Sequence, residues 1–168
     1  MQSVDEHKAA GPAQVRCGVI TVSDTRTVET DTGGRLLQQL LEGAGHAVCH
    51  RAWVRDDVTA ITAAIEAAVE AGVEAVVTTG GTGIAPRDVT YEAVTALLEK
   101  QLDGFGELFR MLSYRAIGTA ALLSRATAGV ARGVVIVALP GSEAAVRLAV
   151  SEVLLPELVH LVQQARRA

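Results

Sequence analysis

The chain has 168 residues, a length that suits one domain with its own core, and 49% of them are hydrophobic although only 3% are aromatic. A core filled by Ala, Val, Leu and Ile in this way is typical of parallel strands covered by helices. The net charge of −4 argues against a nucleic-acid-binding protein, which normally presents a basic face.

The N-terminal segment is polar and shows no apolar core of a signal peptide, and no apolar stretch of the chain reaches the roughly 18 to 20 residues of a membrane span. We therefore expect a cytoplasmic protein without membrane or nucleic-acid partners. Residues 1–13 include the pair Gly11-Pro12 and predict a flexible arm. Residues 14–168 are predicted to form a single domain.

The first half of that domain is predicted to alternate between strands and helices. Runs of β-branched residues indicate the strands, and apolar positions three or four apart indicate the helices. Asp31 and Thr32 form a plausible N-cap for the first helix. The predicted elements are a strand at 15–23, a helix at 33–42, a strand at 47–54, a helix at 58–71 and a strand at 73–79.

The second half departs from this rhythm between residues 103 and 132. A helix is predicted to begin at Gly104 and to break at Gly118, and residues 126–132 are predicted to form a short irregular or antiparallel strand. A strand at 133–139, a helix at 143–153 and a last helix with Pro156 at its N1 position follow. Strands that alternate with helices of this length indicate a right-handed parallel α/β sheet.

The most informative stretch is residues 78–92, where a glycine-rich turn joins a buried strand to the start of a helix. Gly80, Gly81 and Gly83 let backbone N–H groups approach an anion, and the helix N-terminus adds about half a positive charge. Arg87 offers a forked donor for phosphate, and Asp88 offers a ligand for Mg²⁺ or a helix cap. The alternative interpretation is a strand-to-helix turn without a ligand.

Polar residues follow four of the predicted strands. Ligands of open α/β sheets bind beyond the carboxyl ends of the strands, so these segments are predicted to form the edge of one pocket. Carboxylates beside an anion site favour Mg²⁺ bridging to phosphates, with Asp56 and Asp88 as candidate ligands. Helix capping is an equally good role for Asp56 and the favoured one for Asp57. The segments are Ser23-Asp24-Thr25-Arg26, Asp56-Asp57, Gly80-Gly81-Thr82-Gly83 with Arg87 and Asp88, and Pro140-Gly141-Ser142.

Neither common nucleotide-binding fingerprint is present. The first strand ends in Ser23-Asp24 and not in Gly-x-Gly-x-x-Gly, and no Gly-Lys-Ser/Thr follows the glycines. Other motifs together resemble the MoaB/Mog family of molybdenum cofactor biosynthesis over residues 15–157, with 109–114 more similar to the MoaB branch. They are Val-Ser-Asp-Thr-Arg at 22–26, Thr-Thr-Gly-Gly-Thr-Gly at 78–83, Arg-Asp-Val-Thr at 87–90, Gly-Phe-Gly-Glu at 104–107, Leu-Ser-Arg at 123–125 and Leu-Pro-Gly-Ser at 139–142.

This resemblance implies a three-layer α/β/α sandwich with a mostly parallel sheet, which binds molybdopterin and assembles into trimers or hexamers. Catalytic members of the family transfer AMP from Mg-ATP to the terminal phosphate of molybdopterin and release pyrophosphate. Asp56 and Asp88 match the catalytic positions, and both are expected to hold Mg²⁺. The expected substrate-binding residues are Ser23, Asp24, Gly80, Gly81, Thr82, Gly83, Arg87, Glu107, Ser113, Pro140, Gly141 and Ser142.

Three functional readings therefore stay open. The first is a Mg-ATP-dependent molybdopterin adenylyltransferase. The second is a non-catalytic molybdopterin-binding or carrier protein that uses the same pocket. The third is an oligomeric scaffold that exposes Phe105, Phe109 and Tyr114, although aromatic residues at this helical spacing more often belong to the core.

Overall fold

The computed structural model describes residues 14–167, in which strands and helices alternate along most of the chain. Residues 1–13, where the sequence predicts a flexible arm, lie outside the described part. The strands are β1 (Arg16–Val22), β2 (Ala47–Val54), β3 (Ala75–Thr79), β4 (Lys100–Gln101), β5 (Thr127–Ala131) and β6 (Val134–Leu139). The α-helices are α1 (Thr32–Gly43), α2 (Val58–Glu70), α3 (Thr90–Leu97), α4 (Asp103–Ile117), α5 (Glu143–Ala149) and α6 (Leu155–Ala165).

The strands form one sheet in the order β2-β1-β3-β6-β5-β4. The first four strands of that order are parallel, whereas β5 and β4 are antiparallel to their neighbours. The predicted mostly parallel sheet is confirmed, as is an antiparallel strand within residues 126–132. Strand β4 was not predicted, because its two exposed residues, Lys100 and Gln101, carry no apolar signal.

Helices cover both faces of the sheet, as in the expected three-layer sandwich. Neighbouring residues of β1 belong to the cores on opposite faces of the sheet. Val19 belongs to the core that also contains residues of α1, α4, α5 and α6, and Ile20 belongs to the core that contains residues of α2 and α3. Phe105 and Phe109 are buried in the first of these cores, whereas Tyr114 is 61% exposed. The core interpretation is therefore correct for the two phenylalanines and wrong for Tyr114.

The predicted break between the last two helices is absent, and α5 continues into α6 through a π-helical turn at Val150–Leu154. Pro156 lies two residues after the end of that turn. A proline ring clashes with the carbonyl four residues earlier and donates no hydrogen bond, so a wider turn at this point accommodates it. None of the helices within residues 14–167 combines the length and apolarity needed to span a membrane.

His46 gives the fold a pH-dependent element. It is 8% exposed, and its Nδ1 accepts a hydrogen bond of 3.2 Å from the backbone N–H of Val15 at the start of the sheet. Burial lowers the pKa of His46, so the unfolded chain takes up a proton more readily than the folded one. The contribution of neutral His46 to stability is therefore fully present above the ordinary pKa near 6.5 and is lost as the pH falls through the lowered pKa.

We expect the Tm of the wild type to fall between about pH 6.5 and 5. In His46→Gln this fall should be much shallower, because the variant has no imidazole to protonate. Thermal unfolding followed by circular dichroism from pH 8 to 5 measures both curves. Equal slopes in the two proteins would contradict the assignment.

Candidate functional site

The loops that follow β1, β2, β3 and β6 meet at one edge of the sheet and border a pocket of about 950 Å³. Helices α4 and α5 and the 3-10 turn at Gly118–Leu123 complete its wall. The pocket thus lies where the carboxyl ends of the parallel strands predicted it. Its lining includes Ser23, Asp24, Asp56, Gly80, Gly81, Thr82, Gly83, Arg87, Asp88, Ser113, Pro140, Gly141 and Ser142.

Glu107 is the one predicted site residue that the structure places elsewhere. The inward face of α4 is set by Phe105, Phe109 and Ser113, which are spaced four residues apart and are buried. Glu107 is exposed and is not part of the pocket lining. Its expected role in substrate binding therefore has no support from its position in this chain.

The glycine loop, residues 80–83, is packed so closely that its three glycine positions have no room for a side chain. Gly80 and Gly81 have φ values of +93° and +68°, and a Cβ on Gly80 would lie 2.2 Å from the Val22 carbonyl oxygen. A Cβ on Gly81 would lie 2.8 Å from Asp56 Oδ1, and one on Gly83 would lie 2.6 Å from Asp88 Oδ2. The glycines therefore bring the backbone against both predicted catalytic carboxylates.

Three carboxylates gather beside this loop. Asp24 Oδ1 accepts a hydrogen bond of 3.1 Å from the Asp56 backbone N–H, and Asp88 Oδ2 accepts one of 2.9 Å from the Ala85 N–H. Burial raises the pKa of Asp56, and the negative charges of Asp24 and Asp88 raise it further, against the opposing charge of Arg87. The cluster therefore favours a cation.

The donor set fits Mg²⁺ that arrives with a phosphate ligand better than a self-contained metal site. Within residues 14–167, no three His, Cys, Asp or Glu side chains are grouped closely enough to hold a metal ion. Mg²⁺ commonly takes only one or two carboxylates from the protein and completes its shell with water and substrate phosphates. Asp57 is not needed for this, because it caps α2 by accepting the Ala60 N–H at 2.8 Å, as predicted.

Burial and the repulsion within the cluster together make the charge of Asp56 costly for stability. A carboxyl group whose pKa is raised by folding destabilises the folded state above that pKa, and the cost disappears as the pH falls below the ordinary value near 3.9. We expect Asp56→Asn to raise the Tm at pH 7 by up to about 3 °C, since such partly exposed repulsions are worth less than about 1 kcal/mol.

The difference between Asp56→Asn and the wild type should shrink in acid and on addition of Mg²⁺, which relieves the same repulsion. Calorimetric scans at pH 7 and pH 4, with and without the ion, measure both effects. Asp57→Asn, in the neighbouring residue, serves as the control because asparagine retains the helix cap. A lower Tm for Asp56→Asn would show that the charge is not repelled.

The sequence did not predict the apolar side of the pocket. Phe109, Ile117, Ala120, Leu123 and Leu148 line it opposite the charged strand ends. The run Ala-Ala-Leu-Leu at 120–123 follows the predicted helix break at Gly118, and the sequence analysis gave it no role in the pocket. A pocket with one charged and one apolar side suits a ligand that combines phosphate with a flat ring.

Asp31 belongs to a buried polar network beneath the pocket that sequence reasoning also missed. Its Oδ1 caps α1 by accepting the Gly34 N–H at 2.8 Å, as predicted. Its Oδ2 accepts hydrogen bonds of 2.5 Å from Thr21 Oγ1, 2.5 Å from Arg51 Nη2 and 2.9 Å from Trp53 Nε1. Burial opposes ionisation of Asp31, but these donors and the charge of Arg51 together lower its pKa.

Known proteins match this chain over almost its whole length. The family model described as "probable molybdopterin binding domain" matches residues 18–160. Molybdenum cofactor biosynthesis protein B of Bacillus cereus is 51% identical over 167 residues, which cover 98% of this chain and 99% of the relative.

Solved structures give the same result. A crystal structure of molybdenum cofactor biosynthesis protein B is 50% identical with a TM-score of 0.90, and the match covers 94% of this chain and 99% of the other. The tungsten cofactor synthesizing protein MoaB from Pyrococcus furiosus is 40% identical with a TM-score of 0.85, covering 93% and 99%.

Proposed function

This chain belongs to the MoaB branch of the molybdopterin-binding family, and from this premise we propose that it transfers AMP from Mg-ATP to the terminal phosphate of molybdopterin. The observation that supports this proposal most strongly is that Asp24, Asp56 and Asp88 lie beside the glycine loop in a pocket that also contains Arg87. A nucleotidyl transfer between two phosphates needs hydrogen-bond donors that bind phosphate oxygens and carboxylates that bind a cation, and this pocket contains both.

The proposed reaction joins two phosphates in line. An oxygen of the molybdopterin phosphate attacks the α-phosphorus of ATP, the bond from that phosphorus to the bridging oxygen breaks, and pyrophosphate leaves with the electron pair. A phosphate is already anionic at neutral pH, so no side chain has to remove a proton. Mg²⁺, for which Asp88 and Asp56 are the proposed ligands, supplies charge neutralisation at the ATP phosphates.

The chain's own residues orient the two reactants in this scheme. Backbone N–H groups of the glycine loop hold phosphate oxygens, and Arg87 adds a forked donor. The apolar wall around Phe109 and Leu148 receives a flat ring and excludes water from one side of the pocket. Positioning and electrostatic stabilisation together supply most of the rate enhancement expected for such a transfer.

The decisive experiment incubates the protein with molybdopterin, ATP and Mg²⁺ and measures pyrophosphate and adenylated pterin. We expect both products in equal amounts, and neither when EDTA removes Mg²⁺. The alternative function is a non-catalytic molybdopterin-binding or carrier protein, which the same pocket also supports. Tight binding of molybdopterin without any AMP transfer would reject the enzyme and favour this carrier.

Self-association is part of the proposal, in the cytoplasm where ATP is available. Several large apolar side chains of α4 and the 3-10 turn are exposed, which is a common property of subunit interfaces. We expect a trimer or hexamer by analytical ultracentrifugation, and a monomer at micromolar concentration would contradict it. The exposed groups are Leu108, Met111, Tyr114, Ile117 and Leu122.

A further inference from the structure

Arg125, in the Leu-Ser-Arg motif, contacts the glycine loop from outside the pocket. Its Nε donates hydrogen bonds to the carbonyl oxygens of Gly83 at 2.9 Å and Thr82 at 3.3 Å. Its Nη2 donates to the Asp88 carbonyl oxygen at 3.0 Å. One guanidinium group therefore joins both ends of the segment from the glycine loop to Asp88.

The far side of the guanidinium is held by α3. Arg125 forms an ion pair with Glu92, and it lies 5.2 Å from the centre of the Tyr91 ring. The hydrogen bond from Arg125 lowers the pKa of Glu92, so this carboxylate stays ionised at neutral pH. The side chain of Arg125 is only 27% exposed, so solvent screens these interactions incompletely.

The direction of the two loop carbonyls determines the direction of the N–H groups behind them. In a planar trans peptide the C=O and the following N–H point in opposite directions. Because the carbonyls of Thr82 and Gly83 face Arg125, the N–H groups of Gly83 and Ile84 face away from it. Thr82 and Gly83 line the pocket and Arg125 does not, so the N–H group of Gly83 is turned to the pocket side.

Asp88 depends on the same contact. Arg125 holds its backbone carbonyl, while the Ala85 N–H holds its carboxylate at 2.9 Å. Releasing the carbonyl would allow residues 84–88 to shift, and the carboxylate would move with them. A lysine could retain the charge but could not reach several carbonyls with one planar fork.

We propose that Arg125 is a positioning residue that keeps the N–H groups of the glycine loop and the carboxylate of Asp88 in their anion-binding arrangement. The identity of the anion, the phosphates of Mg-ATP, rests on the function proposed above. The positioning itself does not, because it concerns the conformation of residues 80–88 in the free protein.

Hydrogen exchange measured by mass spectrometry tests the conformational part directly. We expect Arg125→Gln to raise the exchange rate of peptides covering residues 80–88 by about tenfold, since hydrogen bonds from a charged donor are lost. Arg125→Lys should give an intermediate increase. Peptides from β1 and α1 should exchange at wild-type rates in both variants. An unchanged loop, or faster exchange throughout the sheet, would overturn the proposal.

Two control variants separate the contacts. Arg166→Gln removes another arginine that is paired with a carboxylate, since Arg166 Nη1 lies 2.5 Å from Glu74 Oε1. Neither residue of this pair lines the pocket, so the variant should leave residues 80–88 unchanged. Glu92→Gln removes the ion pair but keeps the carbonyl contacts, so it should affect the loop less than Arg125→Gln. A larger effect of Glu92→Gln would assign the positioning to the ion pair and overturn the role of the carbonyl contacts.

Mg-ATP titration provides the functional readout. We expect Arg125→Gln to weaken Mg-ATP binding, or to raise KM for ATP, about tenfold while the Tm changes little. If the wild type neither binds Mg-ATP nor transfers AMP, the function proposed above fails and the exchange measurement alone decides the role of Arg125. If the wild type transfers AMP and Arg125→Gln does so with unchanged KM and kcat, the positioning role is rejected.

Discussion

Asp88→Asn is expected to lower AMP transfer at least about 100-fold while the protein remains folded. The charge is lost from the acidic cluster, so Mg²⁺ no longer has one of its two proposed ligands. The fold should survive, because the amide oxygen of asparagine can still accept the hydrogen bond that Asp88 Oδ2 receives from the Ala85 N–H at 2.9 Å. Steady-state pyrophosphate release measures activity, and thermal unfolding checks the fold.

Asp57→Asn is the matched control for that experiment. Asp57 also accepts a backbone N–H, that of Ala60 at 2.8 Å, but it does not line the pocket. Asparagine caps helices about as well as aspartate, so both stability and activity should stay close to wild type. A folded Asp88→Asn protein with activity similar to that of Asp57→Asn would rule out an essential role for the Asp88 carboxylate.

Asp31→Ala is expected to lower the free energy of unfolding by about 3–5 kcal/mol. The Asp31 and Arg51 side chains are only 5% and 15% exposed, so removing the carboxylate leaves the guanidinium in a poorly hydrated site. Thr21 Oγ1 and Trp53 Nε1 lose their acceptor at the same time. Urea unfolding measured by circular dichroism gives the difference from wild type.

Asp57→Ala separates the network from the helix cap. Both aspartates are N-caps that accept a backbone N–H at 2.8 Å, but Asp57 is exposed, so its removal should cost only about 1 kcal/mol. Equal losses in the two variants would reduce the role of Asp31 to capping. The pH adds a second check: the pKa of Asp31 is lowered, so its contribution is present above the ordinary value near 3.9 and is lost as the pH falls through the lowered pKa.

Local patterns predicted the regular elements well where each element has its own signal. The bounds of β2 agree with the prediction, because the turn at 43–45 and the polar residues at 55–57 delimit it. Those of β1 differ from the prediction by one residue at each end, since a run of β-branched residues marks this strand. The cap at Asp31 was also predicted, since capping involves residues only three positions apart. The joined helices α5 and α6 were missed, because a π-helical turn has no marked sequence signature.

The residues of the candidate site also divide into those that the sequence placed correctly and those that it did not. Residues at strand ends were placed correctly in the pocket, since parallel strands bring their carboxyl ends to one edge whatever the side chains are. Glu107 was included through a motif match, yet the helical period of α4 turns it away from the buried face of Phe105 and Phe109. Motif membership shows family, but orientation depends on where a residue lies around its helix.

The sequence by itself determined the sheet of alternating strands and helices, the glycine loop and the carboxylates at the strand ends, because all of these follow from spacing within short segments. Only the tertiary structure decided which distant residues hold them. Asp31 meets Arg51 across 20 positions, and Arg125 meets Gly83 across 42. Such pairings arise when the chain packs into layers, so no local pattern contains them, and here they stabilise the pocket floor and orient its loop.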